Sequence, residues 1–112
     1  MDITNDPAAT PAKRIEALRV VAADEHFPTW VPESNNHIHT CFSFSPYTPT
    51  HAALLARRAG LRVVGSVDHD SIGAAAEMSE ATSVLGMGCV TGFEIRARFG
   101  EGTPLAQRKL NN

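Results

Sequence analysis

Three short segments of the chain have apolar patterns that predict β-strands. Residues 35–40 form the first, and the runs 61–67 and 87–93 are rich in apolar and β-branched residues, which is typical of buried strands. Helical segments at about 50–59 and 74–85 lie between them, each followed by a glycine suited to ending a helix. The order β-α-β-α-β predicts parallel strands joined by right-handed crossovers, and therefore an α/β fold.

A further helix is predicted ahead of these units. Thr10 followed by Pro11 is an N-cap with proline at the first helical position, and apolar spacing extends the helix to about Asp24. The polar residues 1 to about 10 are expected to be disordered.

The segment 27–32 contains two prolines, which exclude a helix. It is expected to be a linker that packs Phe27 and Trp30 against the body of the domain. We therefore divide the chain into a helical leader with its linker, 1–33, and a domain, 34–112. Within the domain, Thr50 is the expected N-cap of the first helix.

Composition restricts the class of protein. The chain of 112 residues is at most one ordinary domain, and its net charge of −2 gives no general field for binding nucleic acid. Cys41 and Cys89 are too few and too far apart for a disulfide framework. With no signal peptide and no apolar run long enough to span a bilayer, a cytoplasmic, reducing location is expected and no membrane partner is.

Residues that can bind metal follow or end all three predicted strands. His37 and His39 are two apart on the first strand, so their side chains are expected on one face. The second strand is followed by Asp68 and His69, and the third by Glu94. Sites in parallel α/β proteins form at the carboxyl ends of strands, and imidazoles with carboxylates suit Zn²⁺, Mn²⁺ or Fe²⁺. The pattern predicts a polynuclear hydrolytic site that would hold a phosphoryl group.

Each of these residues also has a simpler interpretation. The paired histidines could be ordinary hydrogen-bonded strand residues, and Asp70 could be the N-cap of the following helix. Glu94 could be a surface residue after its strand. His26 and His51 are expected at the surface. Cys41 could be a thiolate ligand, although inert packing is the more common role of such a cysteine.

Taken together, these motifs resemble the PHP (polymerase and histidinol phosphatase) superfamily over about residues 35 to 96. The resemblance rests on His37-Ile38-His39-Thr40, Ser43, Pro49, Ala59-Gly60-Leu61, Asp68-His69-Asp70 and Gly92-Phe93-Glu94, which come in the family's order and spacing. It implies a distorted (βα)7 barrel that binds two or three divalent ions, Zn, Mn or Fe, and hydrolyses phosphate mono- or diesters. Phosphorylated small molecules, nucleotides and nucleic-acid ends would be the substrates.

The resemblance also implies a role for each residue. His37 and His39 would be first-motif ligands and His69 the second-motif ligand. Asp68 would be a ligand or the residue that orients one, and Glu94 would bridge two ions. Independently of the family, Arg96 and Arg98 are candidates for contacting substrate phosphate, because guanidinium groups match phosphate oxygens.

The chain departs from the family pattern in three respects. The loop 43–46 offers no strong ligand, Val67 stands where a threonine is usual, and the later motifs with further histidines are absent. We therefore expect the first three βα units of an incomplete barrel, inactive alone and able to associate through an exposed sheet edge. The alternatives are a non-catalytic metal-binding or partner module and an amidohydrolase-like metal hydrolase.

Overall fold

A three-stranded parallel sheet packed against helices forms the body of the protein. The computed structural model describes residues 2–43, 45–69, 71–98 and 109–111. In this part of the chain the strands are β1 (Ser34–Ile38), β2 (Val63–His69) and β3 (Gly88–Glu94), and the helices are α1 (Pro11–Asp24), α2 (Pro49–Arg58) and α3 (Ala75–Val84). The sheet order is β1-β2-β3, with both pairings parallel. The predicted α/β class and the β-α-β-α-β order are confirmed.

A second, smaller sheet follows the first. It pairs β4 (Arg96–Arg98) with β5 (Lys109–Asn111) in antiparallel register. No helix in the described ranges is both long enough and apolar enough to cross a bilayer.

The hydrophobic core lies between the sheet and all three helices. Val64 of β2, Leu54 of α2 and Met78 of α3 are fully buried there. Ile15 and Leu18 of α1 belong to the same core, so the leader helix packs on the body as its apolar spacing predicts. Full burial of each such aliphatic side chain contributes about 1.5–3 kcal/mol to folding.

The linker after α1 packs as expected. Phe27 and Trp30 are partly buried against the core. The guanidinium carbon of Arg57 lies 4.9 Å from the ring centre of Phe27 and 3.8 Å from that of Trp30. This cation–π arrangement fastens the linker to the end of α2.

The start of α2 and the end of β1 are among the element boundaries that differ from the prediction. The N-cap of α2 lies two residues earlier than expected, because Thr48 accepts a hydrogen bond from the amide of His51 and Pro49 occupies the first turn. Thr50 is therefore not the cap. Strand β1 ends at Ile38 rather than Thr40, with an irregularity in its pairing to β2 between Asn35 and Ile38. Such a bulge turns the strand end and redirects its side chains.

The expected disorder at the N-terminus is wrong. Residues Ile3–Asn5 form a 3₁₀ turn in which Thr4 is fully buried. The hydroxyl of Thr4 lies 2.6 Å from Oδ1 of Asp2 and 3.0 Å from Nδ1 of His51. His51 is consequently not the surface residue expected, since 13% of its side chain is exposed. Specific hydrogen bonds order this segment despite its polar composition.

This contact should make stability depend on pH. Burial lowers the pKa of His51, and the nearby Asp2 carboxylate only partly offsets that effect. The folded state therefore favours neutral His51. Its contribution to the free energy of unfolding should be complete above the unfolded-state value of about 6.5 and lost as the pH falls through the lower folded-state pKa.

His51→Asn tests this expectation, because the amide of asparagine can still bond Thr4 but does not titrate. Urea unfolding of both proteins between about pH 5 and pH 8 should show a smaller loss of stability in acid for the variant. All other groups are the same in both proteins, so their contributions cancel from the difference. Equal pH profiles would contradict the assignment.

Candidate metal centre

The carboxyl ends of the three parallel strands meet at Glu94. Its Oε1 contacts Nε2 of His37 and lies 3.8 Å from Nε2 of His39. Its Oε2 lies 3.3 Å from Nε2 of His69, which is the residue paired with Glu94 in the register of β2 and β3. One carboxylate thus faces three imidazoles from the other two strand ends.

The imidazole rings form a compact array. The ring centres of His37 and His39 are 5.0 Å apart with the planes nearly perpendicular, and those of His39 and His69 are 4.9 Å apart and stacked. One ligand atom each from His37, His39 and Glu94 all lie within 4.8 Å of one another. These three donors can therefore converge on a single ion.

The centre is partly open to solvent. Glu94 is buried, whereas 63% of the His37 side chain and 27% of the His39 side chain are exposed. A buried carboxylate beside half-open imidazoles leaves room for a further ligand to approach from solvent, as catalytic metal sites require.

The donor chemistry fits a divalent transition ion. Two imidazole nitrogens and a carboxylate oxygen suit Zn²⁺, Mn²⁺ or Fe²⁺, and the second carboxylate oxygen faces a further imidazole. The residues present are thus able to hold a metal ion, although they do not select its identity.

The structure places Asp68 beside this group rather than in it. Asp68 is 1% exposed, and its oxygens accept hydrogen bonds from the amide and the hydroxyl of Thr40 and from the hydroxyl of Ser43. Sequence reasoning missed Thr40 and Ser43 as contributors to the site. Their positions in the motif, one and four residues after His39, were the available signal.

The remaining predicted residues are not part of the described cluster. Arg96 and Arg98 lie on β4, but their side chains, like the whole of Asp70, fall outside the part of the structure that is described. Cys41 is an exposed free thiol and is absent from the three-residue metal group found among the described residues. His26 is exposed, as predicted.

A comparison with solved structures found a crystal structure that is similar to the chain. No protein-family model matches the chain, and no curated protein is significantly similar to it. The chain matches a crystal structure from Bifidobacterium adolescentis that is provisionally assigned as a metal-dependent phosphoesterase. The match covers 72% of the chain, with a TM-score of 0.61 and 27% sequence identity. The match takes in 27% of that protein, so the chain spans about a quarter of its length. In structure and in sequence the chain therefore resembles a metal-dependent phosphoesterase of the PHP type, the family that its motifs indicate.

Proposed function

We propose that the chain forms the first three βα units of a (βα)7 barrel that hydrolyses phosphate esters with bound divalent metal ions. The observation that carries this proposal is the convergence of three histidines on the two oxygens of Glu94. The similarity to the Bifidobacterium adolescentis protein supports it independently. In this proposal residues 1–33 are an accessory leader and residues 34–112 belong to the barrel domain.

The arrangement around Glu94 suggests how two ions would share the site. His37, His39 and Oε1 would hold the first ion, and Oε2 with His69 would take part in holding the second. A carboxylate can be shared by two ions in this way, because each of its oxygens can bind a different ion. Zn, Mn and Fe remain the candidates, since the donor set suits all three.

The substrate class follows from the same site. When bound, divalent ions supply Lewis acidity and lower the pKa of water, which suits attack on phosphorus. The chain's own residues would orient this chemistry, because the buried Glu94 would hold the array and the exposed side chain of His37 would leave room for the ester. We infer a phosphorylated small molecule, a nucleotide or a nucleic-acid end as substrate, with Arg96 or Arg98 contacting its phosphate. Two free thiols are compatible with a cytoplasmic location.

Ion binding tests the proposal without requiring turnover. Because the chain spans about a quarter of its structural neighbour, we propose that hydrolysis needs further strands. Titration of Co²⁺ or Zn²⁺ against a chromophoric chelator should show tight binding. His39→Ala should weaken it by at least about 100-fold, since loss of outer-shell partners alone costs 10- to 100-fold.

His26→Ala is the matched control, because it removes an exposed histidine distant in sequence from the motifs. Its affinity should equal that of the original chain. Absence of tight binding, or equal losses in the two variants, would contradict the proposal and favour a module without a metal.

A further inference from the structure

Ser43 lies between a buried carboxylate and one of the candidate ligands. Its hydroxyl oxygen is 2.7 Å from Oδ1 of Asp68 and 3.4 Å from Nδ1 of His39. Ser43 belongs to the loop after β1 that offers no strong ligand of its own. Its position therefore calls for a role other than direct coordination.

The direction of these hydrogen bonds follows from proton counting. A carboxylate only accepts, and a serine hydroxyl has one proton. Oδ1 of Asp68 is the closer acceptor, at 2.7 Å compared with 3.4 Å for Nδ1 of His39, so the Ser43 proton points to the carboxylate. The oxygen of Ser43 is then available to His39 only as an acceptor, and Nδ1 of His39 must carry the proton.

We propose that Ser43, anchored by Asp68, is a positioning residue that holds His39 in the Nδ1–H tautomer and keeps Nε2 free to bind an ion. This inference rests on the proposed metal site and adds to it a fixed tautomer. The bond made by one ring nitrogen of a histidine decides which state the other adopts, and partners of metal-binding histidines act in this way.

The opposite side of the ring does not fix the tautomer. Nε2 of His39 is 3.8 Å from Oε1 of Glu94, which is too long for a hydrogen bond, and His37 contacts the same oxygen more closely. The contact with Ser43 is therefore the interaction in the described structure that distinguishes the two ring nitrogens. Asp68 acts on His39 indirectly, through the hydroxyl of Ser43.

The tautomer can be read by ¹⁵N NMR of the histidine rings in metal-free protein, because the two ring nitrogens give different shifts according to which one carries the proton. In the original chain His39 should be in the Nδ1–H form. Ser43→Ala should move the population toward Nε2–H, and Ser43→Thr should restore it. Co²⁺ affinity should fall about tenfold in Ser43→Ala and recover in Ser43→Thr.

Thr40→Val separates positioning from general loosening of the loop. It removes another hydroxyl bond to Asp68 and leaves Ser43 in place. This variant should keep the Nδ1–H form, and an equal tautomer change would overturn the proposal. An Nε2–H form in the original chain would overturn it without any variant. If the chain bound no metal while the tautomers changed as expected, the proposed function would fail and the role of Ser43 in fixing the ring would stand.

Discussion

Replacing Glu94 by glutamine is expected to lower the affinity for divalent metal by about 100-fold or more. Both oxygens of this carboxylate face imidazoles, one toward His37 and His39 and the other toward His69. Glutamine has nearly the same shape, but it has one oxygen instead of two and carries no charge. The loss should exceed the 10- to 100-fold typical of outer-shell partners, because Glu94 itself would touch the ions.

The measurement is competition with a chromophoric chelator, supported by thermal unfolding with and without metal. A metal at 100 times its dissociation constant stabilises the original chain by about 2.7 kcal/mol, and this gain should largely disappear in Glu94→Gln. Glu80→Gln is the matched control, since Glu80 is an exposed residue of α3. If both variants kept the metal-dependent stabilisation, Glu94 would not be the centre of the site.

The order of strands and helices along the chain and the meeting of the strand ends were predictable from the sequence. Apolar runs separated by helices leave few alternatives to a parallel sheet, and parallel strands bring their carboxyl ends to one edge. Glu94 and His69 are cross-strand partners for this reason. The clustering of His37 and His39 was also expected. The prediction placed both residues on the strand, however, whereas β1 ends at Ile38, before His39.

The parts that escaped prediction depend on individual hydrogen bonds rather than on periodicity. Thr48 caps α2 because its hydroxyl meets the amide of His51, whereas Thr50 is buried and donates to Glu77. The pattern of apolar and polar residues does not distinguish Thr48 from Thr50 as the N-cap, because they are separated by one residue. Burial of Thr4 in a polar leader has the same origin, since a few specific partners outweigh an unfavourable composition. Ser43 acquires its role only once Asp68 and His39 are adjacent in space.

The buried ion pair between α1 and α3 leads to the second large expected effect. Nε and Nη2 of Arg14 donate to the two oxygens of Glu77 at 2.6 and 2.8 Å, and Thr50 donates to the same carboxylate at 2.7 Å. Only 7% of the Arg14 side chain and 5% of the Glu77 side chain are exposed. Removing Arg14 leaves the Glu77 carboxylate buried without an opposite charge, with the hydroxyl of Thr50 as the remaining donor of these contacts.

Arg14→Met should therefore lower the free energy of unfolding by about 3–5 kcal/mol, the usual cost of breaking a buried pair from one side. This is a large part of the 5–15 kcal/mol by which domains are stable, and urea unfolding would measure it. Arg58→Met is the matched control, because Arg58 makes a similar paired contact with Glu25 in a far more exposed setting. The control should cost about 1 kcal/mol or less.

Combining Arg14→Met with Glu77→Met distinguishes a stranded charge from lost packing. The double variant has no buried charge at this position, so it should be more stable than Arg14→Met alone, since apolar replacement of a whole buried pair is often neutral. Additive losses from the two substitutions would show that packing, rather than charge, holds α1 to α3. Equal costs for Arg14→Met and Arg58→Met would show that burial adds nothing to the pair, and the leader helix would then be held by apolar contacts such as those of Ile15 and Leu18.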